Sequence, residues 1–203
     1  MRPGLPNLFV FLIVSASICS AQAPNLTFGY RGPGDATVIA IGASGTLPLP
    51  ATQAGNTTLV QFYITNAGTT AVEVSGATSS NAAVSVFPAS LNIPANQTGV
   101  LSILFQPKAA GVVTAAMRFT AGANWNYSFT LTGSGIVSEF VLSYLLQPDG
   151  NQTPVTDGGE IVFRPTPVAQ TATAIFLIAN RGTGPGTVSS VSISGGAFRL
   201  SGL

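Results

Sequence analysis

Apolar residues fall on every second position of short segments throughout this chain, and that period constrains its fold more than any other feature. In Thr57–Thr65 the residues Val60, Phe62 and Ile64 share one face; Leu101, Ile103 and Phe105 repeat the pattern. Val113, Ala115, Met117 and Phe119 follow, then Tyr127, Phe129 and Leu131. Successive side chains of an extended strand point to opposite faces, so each set marks the inward face of a strand. Turn residues punctuate the runs: Gly32-Pro33-Gly34-Asp35, Asn66-Ala67-Gly68-Thr69, Ala109-Ala110-Gly111 and the terminator Thr132-Gly133-Ser134-Gly135. Glycine and aspartate tolerate the left-handed region and proline presets φ. Short strands with turn signals every roughly 8–12 residues, and no helical period, predict an all-β sandwich or barrel.

In chain order, Leu26–Tyr30 predicts the first strand, and Thr37–Ile41 a short one. Gly45–Pro50 is another, its proline suiting an edge. Thr57–Thr65 ends at the turn beginning with Asn66, after which Ala71–Val74 returns. Residues 87–135 read as the second half of the domain: a Pro-flanked strand, a strand ending Phe105-Gln106-Pro107, and two closing strands.

The pattern then starts again. A shift of 114 residues lays 26–89 on 140–203 without a gap. It pairs Tyr30 with Tyr144, Asp35 with Asp149, Gly45 with Gly159, Thr57 with Thr171, Phe62 with Phe176, Ile64 with Ile178, Asn66 with Asn180, Gly68 with Gly182 and Val74 with Val188. Core and turn positions dominate these identities, as a repeated fold requires, so a tandem array is expected. The expected boundaries are 24–136 for the first domain and 137–203 for a truncated second. That second copy lacks everything corresponding to the closing strands, which predicts bare apolar faces and an unpaired edge. A fragment of a longer reading frame, strands borrowed from a partner and a partly disordered end are the three explanations.

Residues 1–23 are expected to be a signal peptide. Met1-Arg2 supplies a short positive region, and Leu8–Ile18 is apolar apart from Ser15 and Ser17. Small residues follow as far as Ala23, and the run falls short of the about 20 residues a spanning helix needs. Cleavage after Ala21 or Ala23 fits, with Pro24 disfavouring the latter. Cys19 is the sole cysteine and raises a lipid-modified N-terminus as an alternative. Ala16 and Ile18 stand where such signals want a leucine-like and a small residue, so Cys19 reads as discarded with the signal. A mature chain without cysteine has no disulfide and no thiol chemistry.

Hydrophobic residues make up 46% of the chain and charged residues 6%, against the roughly 25% charged of ordinary soluble domains. Ser, Thr, Asn and Gln fill the polar positions. The seven cations, Arg2, Arg31, Lys108, Arg118, Arg164, Arg181 and Arg199, are dispersed, which argues against a nucleic-acid partner.

Several segments resemble the ASH (abnormal spindle/Hydin) domain family. They are Pro88-Ala89-Ser90-Leu91-Asn92-Ile93-Pro94-Ala95, Leu101-Ser102-Ile103-Leu104-Phe105-Gln106-Pro107, Ala109-Ala110-Gly111 and Leu131-Thr132-Gly133-Ser134-Gly135. Phe62-Tyr63-Ile64-Thr65-Asn66-Ala67-Gly68 is similar to its strand followed by Asn-x-Gly, and Ile178-Ala179-Asn180-Arg181-Gly182 repeats it. The resemblance spans Pro24 to about Ile136 and the second copy as far as it runs. It implies an immunoglobulin-like sandwich related to the major-sperm-protein and PapD group. It also implies the setting of the bacterial choice-of-anchor D type, in which secreted tandem modules sit at the cell surface. No catalytic residue comes with it.

The chain has no histidine, which removes Ser-His-Asp, Cys-His and His-ligated metal sites together. Asp157 and Glu160 lie close in sequence, but Asp-Gly-Gly-Glu reads as a turn rather than the carboxylate pair a glycosidase needs. Asp149-Gly150-Asn151 with Asp157 and Glu160 offers oxygen ligands for calcium, in no EF-hand spacing, and turns use the same residues. Asn-x-Ser/Thr sequons at Asn25, Asn56, Asn96, Asn126 and Asn151 matter only in a secretory eukaryote. Trp125 is expected at a hairpin tip, where it either stacks on a ligand such as a sugar ring or folds back onto a neighbour. The expectation is a non-catalytic secreted or cell-envelope module that needs no cofactor. It acts as a spacer or protein-interaction scaffold, its partners being other proteins or cell-surface components. A carbohydrate-binding or adhesion module, and an accessory region of a larger secreted enzyme, are the rivals.

Overall fold

The alternation in the sequence becomes two facing sheets in the computed structural model, which describes residues 23–148 and 150–202. Eleven strands build the first unit: β1 (Leu26–Arg31), β2 (Ile39–Ile41), β3 (Thr46–Pro48), β4 (Thr52–Gln53), β5 (Thr58–Asn66), β6 (Val72–Ser79), β7 (Val84–Phe87), β8 (Leu91–Ile93), β9 (Thr98–Phe105), β10 (Gly111–Ala121) and β11 (Trp125–Ile136). One sheet has the order β2-β1-β5-β9-β7, and the other β3-β11-β10-β6-β8, with β4 also pairing β11. The described residues contain no helix.

Inward residues from both sheets meet in one core. Val60, Phe62 and Ile64 of β5 are fully buried, as are Leu101, Ile103 and Phe105 of β9. Met117, Phe129 and Leu131 reach them from the opposite sheet. At its centre the rings of Phe62 and Phe129 stand edge-on with centroids 4.9 Å apart, and Phe28 meets Phe129 at 5.1 Å. Burying one such side chain stabilises the fold by about 1.5–3 kcal/mol. This is an immunoglobulin-like β-sandwich, as the period-two pattern predicts.

The turn at Asn66 does not fold back as a hairpin. β5 already has β1 on one side and β9 on the other, so no edge is free for the returning strand. β6 crosses instead to the opposite sheet, where it pairs β10 and β8. Segment 46–53 also switches sheets and runs parallel to β11 along its outer side. Pro48 sits on that edge strand, where its missing N–H costs nothing.

A bulge re-aims β6. Arg118 pairs Thr78 and Thr120 pairs Ser75, so Gly76 and Ala77 together oppose Phe119. Gly76 takes φ 65°, the left-handed conformation that a bulge residue adopts most easily as glycine.

The second copy contributes β12 (Phe140–Leu146), β13 (Gln152–Val155) and β14 (Ala174–Asn180), in the order β13-β12-β14. Its registers are those of β2-β1-β5 displaced by 114 residues. Leu26 faces Asn66 and Phe140 faces Asn180; Phe28 faces Ile41 and Leu142 faces Val155. Backbone bonds repeat as well: Ala67 N–H donates to Asn25 O at 2.9 Å, and Arg181 N–H to Glu139 O at 2.7 Å. Exposure differs between matched positions of the two copies. Phe62 is 0% exposed but Phe176 is 49%, and Ile64 is 0% against 42% for Ile178.

Candidate functional site

Trp125 is the side chain that the sequence singles out. Turn residues Gly122–Asn124 join β10 to β11, and Trp125 opens β11 opposite Ala121. It is 41% exposed and borders a shallow cleft of about 420 Å³ at one pole of the first sandwich. The other walls are Pro24, Asn25, the loop from Asn66 to Val72, and Gly122-Ala123.

Asn66 is the polar anchor of that cleft, and its amide is already engaged. Nδ2 donates to Thr70 O at 2.8 Å and Ile93 O at 3.0 Å, while Oδ1 accepts from Gly68 N–H at 3.0 Å. The residue is fully buried, so this network satisfies a group that would otherwise be costly inside the fold. Asn66 therefore holds the loop, with both of its amide protons engaged. Asn180 repeats the device in the second copy: Nδ2 donates to Gly184 O at 2.8 Å, and Oδ1 accepts from Gly182 N–H at 3.0 Å. The recurring Asn-x-Gly is thus a loop clamp, a role the sequence pairing carries but does not name.

A second depression of about 250 Å³ follows the bulge and is lined by Gly76, Arg118, Phe119, Thr120 and Asn126–Ser128. Thr120 Oγ1 donates to Asn126 Oδ1 at 2.9 Å across it. Tyr127 packs on Phe28 and Phe119 with ring centroids 5.1 and 5.4 Å away. Burial raises its phenol above the usual tyrosine value, because the charged form loses solvation. On the outer face of the first sheet, Arg31 donates to Gln61, Tyr63 Oη donates to Gln61 Oε1 at 2.7 Å, and the Arg31 guanidinium lies 5.6 Å from the Tyr63 ring centre. Sequence reading missed this cluster because its members come from β1 and β5, 30 residues apart.

Of the loop acids, Asp157 and Glu160 are within the described residues. Asp157 lies in a turn closed by Gly159 N–H to Thr156 O at 2.9 Å, and both Asp157 and Glu160 are exposed. Among the described residues no group of three His, Cys, Asp or Glu side chains approaches closely enough to hold an ion. Asp149 of the calcium reading lies outside the described residues, as does nearly all of the expected signal peptide, Cys19 included. Among the described residues no helix is long and apolar enough to cross a membrane.

No family model matches the chain, and no curated protein matches it. Solved structures with a similar fold include the ASH/PapD-like domain of human CEP192 (PapD-like domain 7), at 19% identity over 66% of this chain and 100% of that one, with a TM-score of 0.44. A family 123 glycoside hydrolase from Clostridium perfringens is similar at 15% identity, over 45% of this chain and 23% of that one, with a TM-score of 0.38. The CupB2 chaperone of Pseudomonas aeruginosa is similar at 15% identity, over 57% of this chain and 79% of that one, with a TM-score of 0.34.

Proposed function

We propose that this chain is a non-catalytic, secreted or cell-surface protein of tandem ASH-like immunoglobulin modules, of the choice-of-anchor D type. It works as a spacer and protein-interaction scaffold. One observation carries the reading: the described clefts are shallow, and the buried amide at the larger one uses both its protons to hold the loop and β8. The extended features are sheet faces and edges, which engage polypeptides by strand addition and by broad apolar contact. The near-neutral surface, six acids against seven bases, suits a module that meets proteins rather than a polyanion.

Expression with residues 1–23 in place, followed by fractionation and N-terminal sequencing, tests the location. The expected product lies outside the cytoplasm and starts at Gln22 or Pro24. A full-length cytoplasmic product overturns that part of the reading.

Trp125 favours one rival, a carbohydrate-binding or adhesive module, because its exposed indole borders the larger cleft. Retention on a glycan array that disappears with Trp125→Ala would establish that rival in place of the scaffold.

A further inference from the structure

One loop builds the joint between the two copies. Residues 137–139 link β11 to β12, and both ends of that link are bonded to the loop that follows β14. Val137 N–H donates to Thr183 Oγ1 at 3.2 Å, and Val137 O accepts from Gly184 N–H at 2.8 Å. Glu139 N–H donates to Asn180 Oδ1 at 3.0 Å, and Glu139 O accepts from Arg181 N–H at 2.7 Å. Domains joined by a free linker move relative to one another by default. Here a swing about the linker would break these bonds together.

Glycine lets the loop come so close. After its Asn clamp the second copy reads Gly182-Thr183-Gly184-Pro185-Gly186, where the first has Gly68-Thr69-Thr70-Ala71-Val72. A Cβ on Gly184 would lie 2.8 Å from Gln53 Oε1 and 3.1 Å from Ile136 Cβ, both on the first sandwich. One on Gly186 would lie 2.7 Å from Ser138 Cβ in the linker, and one on Gly182 would overlap Val137 O. At Gly68, among the described residues, a Cβ would meet Asn66 Oδ1 at 3.0 Å and no linker atom. Gly184 is buried whereas Thr70 is exposed. The second loop thus lacks side chains where it meets the linker and the preceding sandwich, and close packing leaves no room for them. The seat is firm: Ile136 and Gln53 belong to the parallel pair β11–β4, and Ala54 N–H donates to Ile136 O at 2.8 Å.

We propose that this contact is a fixed joint. The end of the first sandwich, with Gln53 and Ile136, is a docking surface for the Gly-x-Gly-x-Gly loop of the module that follows, and Gly184 and Gly186 set the angle between the two. The inference deepens the spacer reading and rests on it for its use, since a spacer with a fixed joint holds what it carries at a set distance. Its physical test is independent of where the protein resides.

Spin labels test it in the full chain carrying Cys19→Ser. One label goes on Thr114→Cys, on the outer face of β10, and the other on Thr173→Cys in the second copy; both positions are exposed. Dipolar spectroscopy is expected to give one narrow distance distribution. Gly184→Val and Gly186→Val should each shift or broaden it, whereas Thr70→Val, at the matched place in the first loop, leaves it unaltered. A second pair, Thr156→Cys with Thr173→Cys, reads the second copy's own fold and should stay unchanged in these variants, as should the melting transition reported by Trp125. A broad distribution with both glycines in place overturns the proposal, and so does a narrow one that survives both valines. Broadening of the second pair by the valines also overturns it, because the glycines then serve the second copy's own fold. If the joint holds while the exported product is absent, only the location in the proposed function fails. If it swings while the product is exported, only the joint fails.

Discussion

At the scale of single residues, Phe62 and Phe176 make the sharpest comparison, being one residue type at one repeat position in two environments. Phe62→Ala removes a fully buried ring and is expected to cost about 3–5 kcal/mol in urea unfolding followed by Trp125 fluorescence. Phe176→Ala should leave that same transition within about 0.5 kcal/mol. Asn66→Ala strips partners from Gly68 N–H and from the Thr70 and Ile93 carbonyls, and a loss above about 2 kcal/mol should follow. Tyr127 carries a pH prediction. Its raised folded-state value means that the unfolded chain ionises first, at about pH 10. Its contribution is therefore complete below that pH and is lost as pH rises through the folded-state value. Tyr127→Phe should flatten the alkaline limb of a stability-against-pH curve, and an unchanged limb would refute this.

Among the elements, β5 and β14 share a register with β1 and β12 but differ in their outward residues. Gln61 and Tyr63 of β5 become Ile175 and Leu177 in β14, 45% and 38% exposed. β14 is therefore apolar on both faces, the pattern of a strand buried on both sides. The bulge at Gly76 makes a smaller claim. Gly76→Ala forces a Cβ into positive φ and is expected to cost about 1 kcal/mol in the melting transition.

For the whole molecule, the first copy is the one whose core the described residues close. The first closes its own core, so residues 24–136 alone should melt as one cooperative transition at the temperature Trp125 reports in the full chain; two-step melting would refute this. The link between copies is short and tied down: Gly184 N–H donates to Val137 O at 2.8 Å, and Val137 N–H to Thr183 Oγ1 at 3.2 Å. The sequence by itself determined most strands of the first sandwich and the tandem repeat, because a period of two and turn residues are local signals that survive in a linear string. β4 and β7 escaped notice: Thr52–Gln53 is too short to show a period, and Val84–Phe87 offers only Val84 and Val86 as alternating inward candidates. Tertiary structure alone decided that β6 leaves for the opposite sheet, that segment 46–53 runs parallel to β11, and that Asn66 spends its amide on the loop at the Trp125 cleft. Those outcomes depend on which strand edges are already occupied and which distant carbonyls are within reach, and no short stretch of sequence carries that information.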